Sequence, residues 1–200
     1  MKRRWKYFLV TALLGFATKA DAQGPIFAGG GPVIEAGLGY SYTDMSIPSN
    51  TRFTMNGADA NITVDFTRRF GVRLDAGYAR AFNVFNTGRH ADVLNYMGGP
   101  VFYPIRKRRF TLYTELLLGA ARETGVNSAT GGGTITGFAN KFAWAAGGGV
   151  QYRIVRPLSL RAGPDYFHTS FFDPNIAVKG QNNLRAVISL VYTFGEGREH

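Results

Sequence analysis

Apolar and polar residues alternate with period two in eight separate runs along this 200-residue chain. Ile34, Ala36, Leu38, Tyr40 and Tyr42 alternate with Glu35, Gly37, Gly39 and Ser41. Ala58, Ala60, Ile62, Val64 and Phe66 stand against Asp59, Asn61, Thr63 and Asp65, and Val72, Leu74, Ala76 and Tyr78 against Arg73, Asp75 and Gly77. The fourth run sets Leu94, Tyr96 and Phe102 against Asn95, Met97 and Gly99; the fifth sets Leu112, Leu116, Leu118 and Ala120 against Tyr113, Glu115 and Gly119. Trp144, Ala146, Val150 and Tyr152 face away from Gly147, Gly149 and Gln151, as Leu158, Leu160, Ala162 and Tyr166 do from Ser159, Arg161, Gly163 and Asp165. The last run puts Leu184, Ala186, Ile188, Leu190, Tyr192 and Phe194 opposite Arg185, Ser189 and Thr193. Successive side chains of a strand point to opposite sides, whereas a helix cannot use this period. Runs of about 10 to 12 residues match tilted strands crossing a bilayer, while strands of soluble proteins are nearer 5 or 6.

The connections alternate too. Residues 68–71, 104–109 and 154–157 form short links, and roughly 45–57, 83–92, 122–140 and 168–183 form longer ones rich in Gly, Asn, Ser and Thr. Short turns at one end and long loops at the other characterise outer-membrane barrels. With the N-terminus starting in the periplasm, the short turns lie there and the long loops outside. The expected fold is all-β: an eight-stranded antiparallel up-and-down transmembrane barrel.

The content of the second face decides which solvent each face meets. It holds Glu35, Asp65, Arg73, Asp75, Glu115, Arg161, Asp165 and Arg185, interleaved with glycines. An Arg or Lys facing hydrocarbon at the midplane costs about 2–4 kcal/mol. The apolar set therefore faces lipid and the charged set the lumen, where mixed signs predict ion pairs and glycines leave room for long Arg side chains. Eight strands enclose a lumen just wide enough for side chains to fill. A plugged interior and a narrow gated path for ions or small solutes are both open at this point.

Aromatics near the strand ends predict two interfacial girdles: Tyr42, Tyr78, Phe142, Trp144 and Tyr166 towards the loops, and Phe66, Phe102, Phe110, Tyr152 and Phe194 towards the turns. Phe171-Phe172 reads as a further girdle element, with an adhesive apolar contact as the alternative. Pro100 and Pro164 fall inside strands, where each removes a ladder donor, and a bulge is one way to absorb them. Arg68, Arg69, Arg106, Lys107, Arg108, Arg109, Arg153 and Arg156 cluster in or beside the short turns without an acid among them. They predict a cationic periplasmic rim, attracted to anionic headgroups of the inner leaflet; cell-wall polymer or a periplasmic protein is the other reading.

Composition refines this picture. Twenty-six glycines, 14% aromatic and only 18% charged residues do not describe a soluble helical domain. Without cysteine there is neither a disulfide nor a thiolate metal site. Lys2-Arg3-Arg4 and Lys6, the apolar stretch Phe8–Ala17 and Ala20-Asp-Ala22 read as a cleavable signal peptide over 1–22, with a retained signal anchor as the other reading. The barrel is expected over 23–195 and a short tail over 196–200. Removing residues 1–22 takes away +4 of the formal +10 and leaves +6. A basic excess often indicates nucleic acid, but export makes that partner a poor fit. No later window is apolar and long enough for a transmembrane helix.

The pattern resembles the small OmpA/OmpX-type outer-membrane barrels over about residues 26–195, and in particular the single-domain barrels of soil acidobacteria. Leu94-Asn-Tyr-Met-Gly-Gly-Pro100, Leu116-Leu-Leu-Gly-Ala-Ala-Arg122, Asp165-Tyr166 with Thr169, and Gln181-Asn-Asn-Leu-Arg185 carry that resemblance. It implies a Gram-negative cell-envelope protein of the porin-like group, set in outer-membrane lipid. Val191-Tyr-Thr-Phe194 is similar to the terminal aromatic signal read by the barrel-assembly machinery, which makes Tyr192 and Phe194 the assembly signal. His168-Thr-Ser170 has the H-x-S spacing of the lipid A deacylases, whose His and Ser work with a Glu. Here no Glu follows until Glu196 and Glu199, so no enzyme is expected. His90 and His200 lack companion ligands, and Gly131–Gly133 and Gly147–Gly149 do not continue into a phosphate loop, so no metal or cofactor is expected. What remains is a structural or surface-interaction role, with an extracellular ligand at the loops.

Overall fold

The computed structural model describes residues 32–46, 52–84, 90–125, 138–171 and 180–194. All belong to the unit Pro32–His200. The expected leader over 1–22, the tail 196–200 with His200, Gly131–Gly133 and Phe172 lie outside the described residues.

Eight strands follow one another: β1 (Val33–Ser46), β2 (Arg52–Asp65), β3 (Phe70–Ala81), β4 (Ala91–Arg106), β5 (Phe110–Gly125), β6 (Phe138–Val155), β7 (Leu158–Thr169) and β8 (Gln181–Phe194). Each pairs antiparallel with the next, and β1 pairs with β8, so the sheet closes without an edge. Closure is what hydrocarbon demands, since every backbone donor and acceptor must be satisfied within the protein. Among the described residues no helix is long and apolar enough to cross a membrane.

The strands climb further into the connections than the apolar alternation indicates. Asp44 faces Thr54 and Ser46 faces Arg52, so only residues 47–51 separate β1 from β2, not 45–57. The physical reason is local. Above the lipid the outward positions become polar, as in Asp44, Arg52, Thr54 and Asn56, and the apolar pattern ends before the hydrogen-bonded ladder does. The remaining long connections are 82–90, 126–137 and 170–180.

At the other end, residues 66–69, 107–109 and 156–157 close the turns. In the first, the hydroxyl of Thr67 accepts from the amides of Arg69 at 3.2 Å and Phe70 at 2.9 Å, tightening the reversal. The last contains a cis Arg156–Pro157 bond.

The alternation sorts the faces as the sequence predicts. Leu38, Leu74, Leu118 and Leu184 look outward, Leu38 being 68% exposed, while Arg73, Arg161 and Arg185 are 2–3% exposed inside. Inward glycines make room, though not chiefly for arginine. A Cβ at Gly37 would stand 2.6 Å from Asn61 Oδ1, and one at Gly77 would stand 2.6 Å from Asn95 Oδ1. The vacated space lets a neighbouring strand's short amide lean across.

Neither internal proline creates a bulge. Pro100 and Pro164 face outward, and the register is the same on both sides of each: Gly98 faces Leu118 and Val101 faces Glu115, Gly147 faces Asp165 and Val150 faces Ala162. The ladder skips the missing donor and resumes in step. Bulges lie instead by the turns. In β4 Phe102 faces Thr114 but Ile105 faces Leu112; in β6 Arg153 faces Ser159 but Val155 faces Leu158. Each inserts one extra residue and inverts the inside-outside phase beyond it.

Leu38 lies midway along β1 on the outer wall, so Leu38→Arg places a cation near the hydrocarbon midplane. It is expected to cost about 2–4 kcal/mol in reversible urea unfolding from a bilayer. A loss below about 1 kcal/mol would contradict the outward placement.

Candidate functional site

The turn-side half of the lumen is a belt of charged and amide side chains, the charged ones from every strand but β6 and the amide Gln151 from β6. At its centre Arg185 of β8 donates to three carboxylates. Its Nη1 lies 3.0 Å from Asp75 Oδ1 and 3.5 Å from Asp59 Oδ2, and its Nη2 lies 2.8 Å from Asp165 Oδ2. Asn61 and Asn95 donate to the same group of acids, to Asp59 at 3.1 Å and Asp75 at 3.2 Å. Nearer the turns, Arg161 pairs with Glu35 and donates to Gln151 Oε1 at 2.6 Å and Asn61 Oδ1 at 3.2 Å. Gln151 in turn donates to Glu35 at 3.1 Å. Arg73 pairs with Glu115 and donates to Thr63 Oγ1 at 3.1 Å. The Tyr113 ring stands between these groups, 5.0 Å from the Arg73 guanidinium and 5.5 Å from that of Arg161.

Seven of the eight charged residues read from the sequence as lumenal thus meet in three connected clusters. The eighth, Asp65, sits lowest and takes Arg106 Nη2 at 2.6 Å. Arg106 had the sequence signature of the exposed rim. The bulge after Phe102 turns it inward, and its guanidinium lies 3.8 Å from the centroid of the buried Tyr103 ring. This corrects its assignment: a count of two from Phe102 places position 106 on the lipid side, and the extra residue reverses that. Asp59, Asn61, Gln151, Tyr103 and Tyr113 complete the belt. All but Tyr103 were visible as members of the inward set, but only the register reveals which arginine each one meets.

Buried charges persist only where opposite charges and hydrogen bonds compensate their lost hydration. The packing here is close. The void enclosed by Asp59, Asp75, Glu115, Asp165 and Arg185 measures about 10 Å³, room for about one water.

The loop-side half of the lumen is different. Met45, Met55, Val93, Met97, Leu117, Phe167 and Phe171 pack there as an apolar cluster, beside the buried polar Thr43, Glu123, Thr169, Gln181 and Asn183. Sequence reasoning treated the whole inward set as polar and missed this layer. The available signal was the local failure of alternation: Tyr96-Met97, Leu116-Leu117-Leu118 and Tyr166-Phe167 are apolar on both faces. Phe171 belongs to this cluster, 5% exposed, and is neither a girdle element nor an adhesive contact.

At the turn end, Arg68, Arg69, Lys107, Arg108, Arg109 and Arg156 are exposed and Arg153 is half-buried. Outside the barrel, Tyr42, Tyr78, Phe142 and Tyr166 face outward towards the loops, and Phe66, Phe102, Phe110, Tyr152 and Phe194 towards the turns. Tyr192 and Phe194 meet edge to face at 4.8 Å on the outer wall. Trp144 is half-buried between Tyr166 at 5.3 Å and His168 at 5.6 Å. His168 Nδ1 lies 2.8 Å from Asn182 Oδ1. An amide therefore occupies the place where a hydrolase would need a carboxylate to stabilise an imidazolium. His90 lies 3.6 Å from Asp92, itself bound by Arg80 at 3.1 Å.

Arg185→Met keeps most of the volume but leaves Asp59, Asp75 and Asp165 facing one another. A loss of about 3–5 kcal/mol is expected in urea unfolding, the usual cost of removing one partner from a buried ionic group. A change under about 1 kcal/mol would mean that the central cluster contributes little to the fold.

No family model matches the chain, and no curated protein does. Among solved structures it is similar to Ail, the attachment invasion locus protein of Yersinia pestis, solved with the heparin analogue sucrose octasulfate: 15% identity, 82% of this chain and 100% of that one, TM-score 0.58. Neisserial surface protein A matches at 12% identity over 80% of this chain and 97% of that one, TM-score 0.62. OprG of Pseudomonas aeruginosa matches at 12% identity over 83% and 97%, TM-score 0.51. With the closed antiparallel sheet, the apolar exterior and the charged interior, these likenesses identify the fold: the chain is a small eight-stranded antiparallel β-barrel, built like the outer-membrane barrels it matches.

Proposed function

We propose that this outer-membrane barrel is a closed scaffold that presents its long connections to the cell exterior and passes no solute through its lumen. What supports the reading is the close packing of the described lumenal side chains. An ionic belt whose central void measures about 10 Å³ lies beneath a layer in which the apolar Met45, Met55 and Leu117 are completely buried. Ions crossing it would lose hydration against apolar side chains and then displace paired guanidiniums. Rigid barrels with long polar loops commonly recognise partners through those loops. Ail's ligand is a polysulfate, but the corresponding connections here are poor in cations. Residues 47–51 and 126–137 hold none, 82–90 hold Arg89, and 170–180 hold Lys179 against Asp173. Their Asn, Ser, Thr, Gly and Phe content favours hydrogen bonding and aromatic contact over charge pairing with a polyanion. The amide beside His168 supports a role without catalysis.

Refolded protein in planar bilayers is expected to give no discrete conductance steps; stable single-channel currents would favour the narrow-pore reading instead. Replacing residues 126–137 by a four-residue turn should change barrel stability by less than about 1 kcal/mol, because closure entropy varies slowly with loop length. A larger loss in urea unfolding would make that segment part of the fold.

A further inference from the structure

Arg68, Arg69, Lys107, Arg108 and Arg109 form one of the chain's densest charge clusters, and neither the scaffold reading nor the lumen accounts for them. Residues 66–70, 104–110 and 152–158 contain no acid. Among the described residues these five side chains make no ion pair. The nearby Asp65 is already held by Arg106 inside the barrel. Among the described residues no carboxylate is paired with these charges.

The backbone joins the turns into one ridge. The amide of Tyr103 in β4 donates to the Arg69 carbonyl at 2.8 Å, and that of Arg153 in β6 donates to the Arg109 carbonyl at 2.8 Å. The Arg68 guanidinium reaches the Arg106 carbonyl at 3.5 Å. Each turn is thus tied to the strand that leads into or out of the next. Directly beside the ridge, Phe66, Phe70, Phe102, Phe110 and Tyr152 face outward, with Phe70 and Phe102 in ring contact at 5.0 Å. Aromatic side chains of this kind mark the boundary between hydrocarbon and headgroups. Cations immediately beyond them stand at the height of the phosphates, and a row of exposed guanidinium and ammonium groups matches a row of phosphodiesters.

We propose that this ridge binds anionic phospholipid headgroups, of the phosphatidylglycerol class, in the periplasmic leaflet, and so fixes the depth and orientation of the barrel. The proposal rests on the membrane placement but not on whether the lumen conducts. The test is to refold the full chain into vesicles of phosphatidylcholine and phosphatidylglycerol and compare how strongly spin-labelled analogues of each lipid are immobilised at the protein. Phosphatidylglycerol should be favoured at least about threefold over phosphatidylcholine, and less so at high salt. The variant R68Q/R69Q/K107Q/R108Q/R109Q should bring the ratio close to one. Should that variant not insert, R68Q/R69Q and K107Q/R108Q/R109Q, each verified as folded by circular dichroism, should each lower it. Equal immobilisation of the two lipids by the unaltered protein would overturn the proposal, as would a preference unchanged in the variants. Capture on purified cell-wall sacculi that depends on these cations, without any lipid preference, would assign the ridge to the polymer instead. Failure of the unaltered chain to insert would count against the membrane reading itself, and is thereby told apart.

Discussion

Hydrocarbon supplies neither hydrogen bonds nor hydration, and this constraint organises the whole molecule. It requires the backbone ladder to close from β1 round to β8. It also requires side chains that need solvation to turn inward, where they must solvate one another. Six carboxylates, from Glu35, Asp59, Asp65, Asp75, Glu115 and Asp165, do so around the guanidiniums of Arg73, Arg106, Arg161 and Arg185. Asparagine and glutamine amides fill the remaining hydrogen-bonding positions. Inward glycines belong to the same solution, since they let neighbouring amides reach across the narrow interior.

The fold was legible because period-two alternation is a strong signal when both solvents are extreme. Leu38 beside Glu35, or Leu184 beside Arg185, leaves little doubt about which side each takes. Strand ends were less legible because hydrogen bonding continues past the level where lipid stops sorting the side chains, as Asp44 and Arg52 illustrate. The charged lumenal residues were legible as a set but not as pairs. Which acid meets Arg185 depends on strand register and tilt, and Asp59 and Asp75 reach it from the far side of the chain's numbering.

Two features escaped for distinct reasons. The apolar layer around Leu117 and Phe167 was hidden because the inward set was treated as uniform along the barrel axis, although the local loss of alternation marked the change. Arg106 was misplaced because a bulge leaves no clear mark in the sequence. Pro104, directly before Ile105, is the nearest one, whereas Pro100 and Pro164 merely interrupt a ladder that keeps its register.

The bulge in β4 has a wider implication for how such chains tolerate change. Up to Phe102, an odd-numbered position in that strand belongs to the interior and an even-numbered one to the lipid; from Ile105 onward the code is inverted. Losing a single residue there would leave composition almost untouched yet exchange the environments of Ile105 and Arg106, withdrawing the cation from Asp65 and setting a branched aliphatic group in its place. Near that turn a one-residue deletion is therefore a more radical event than most substitutions, and lengths of neighbouring segments should drift in steps of two.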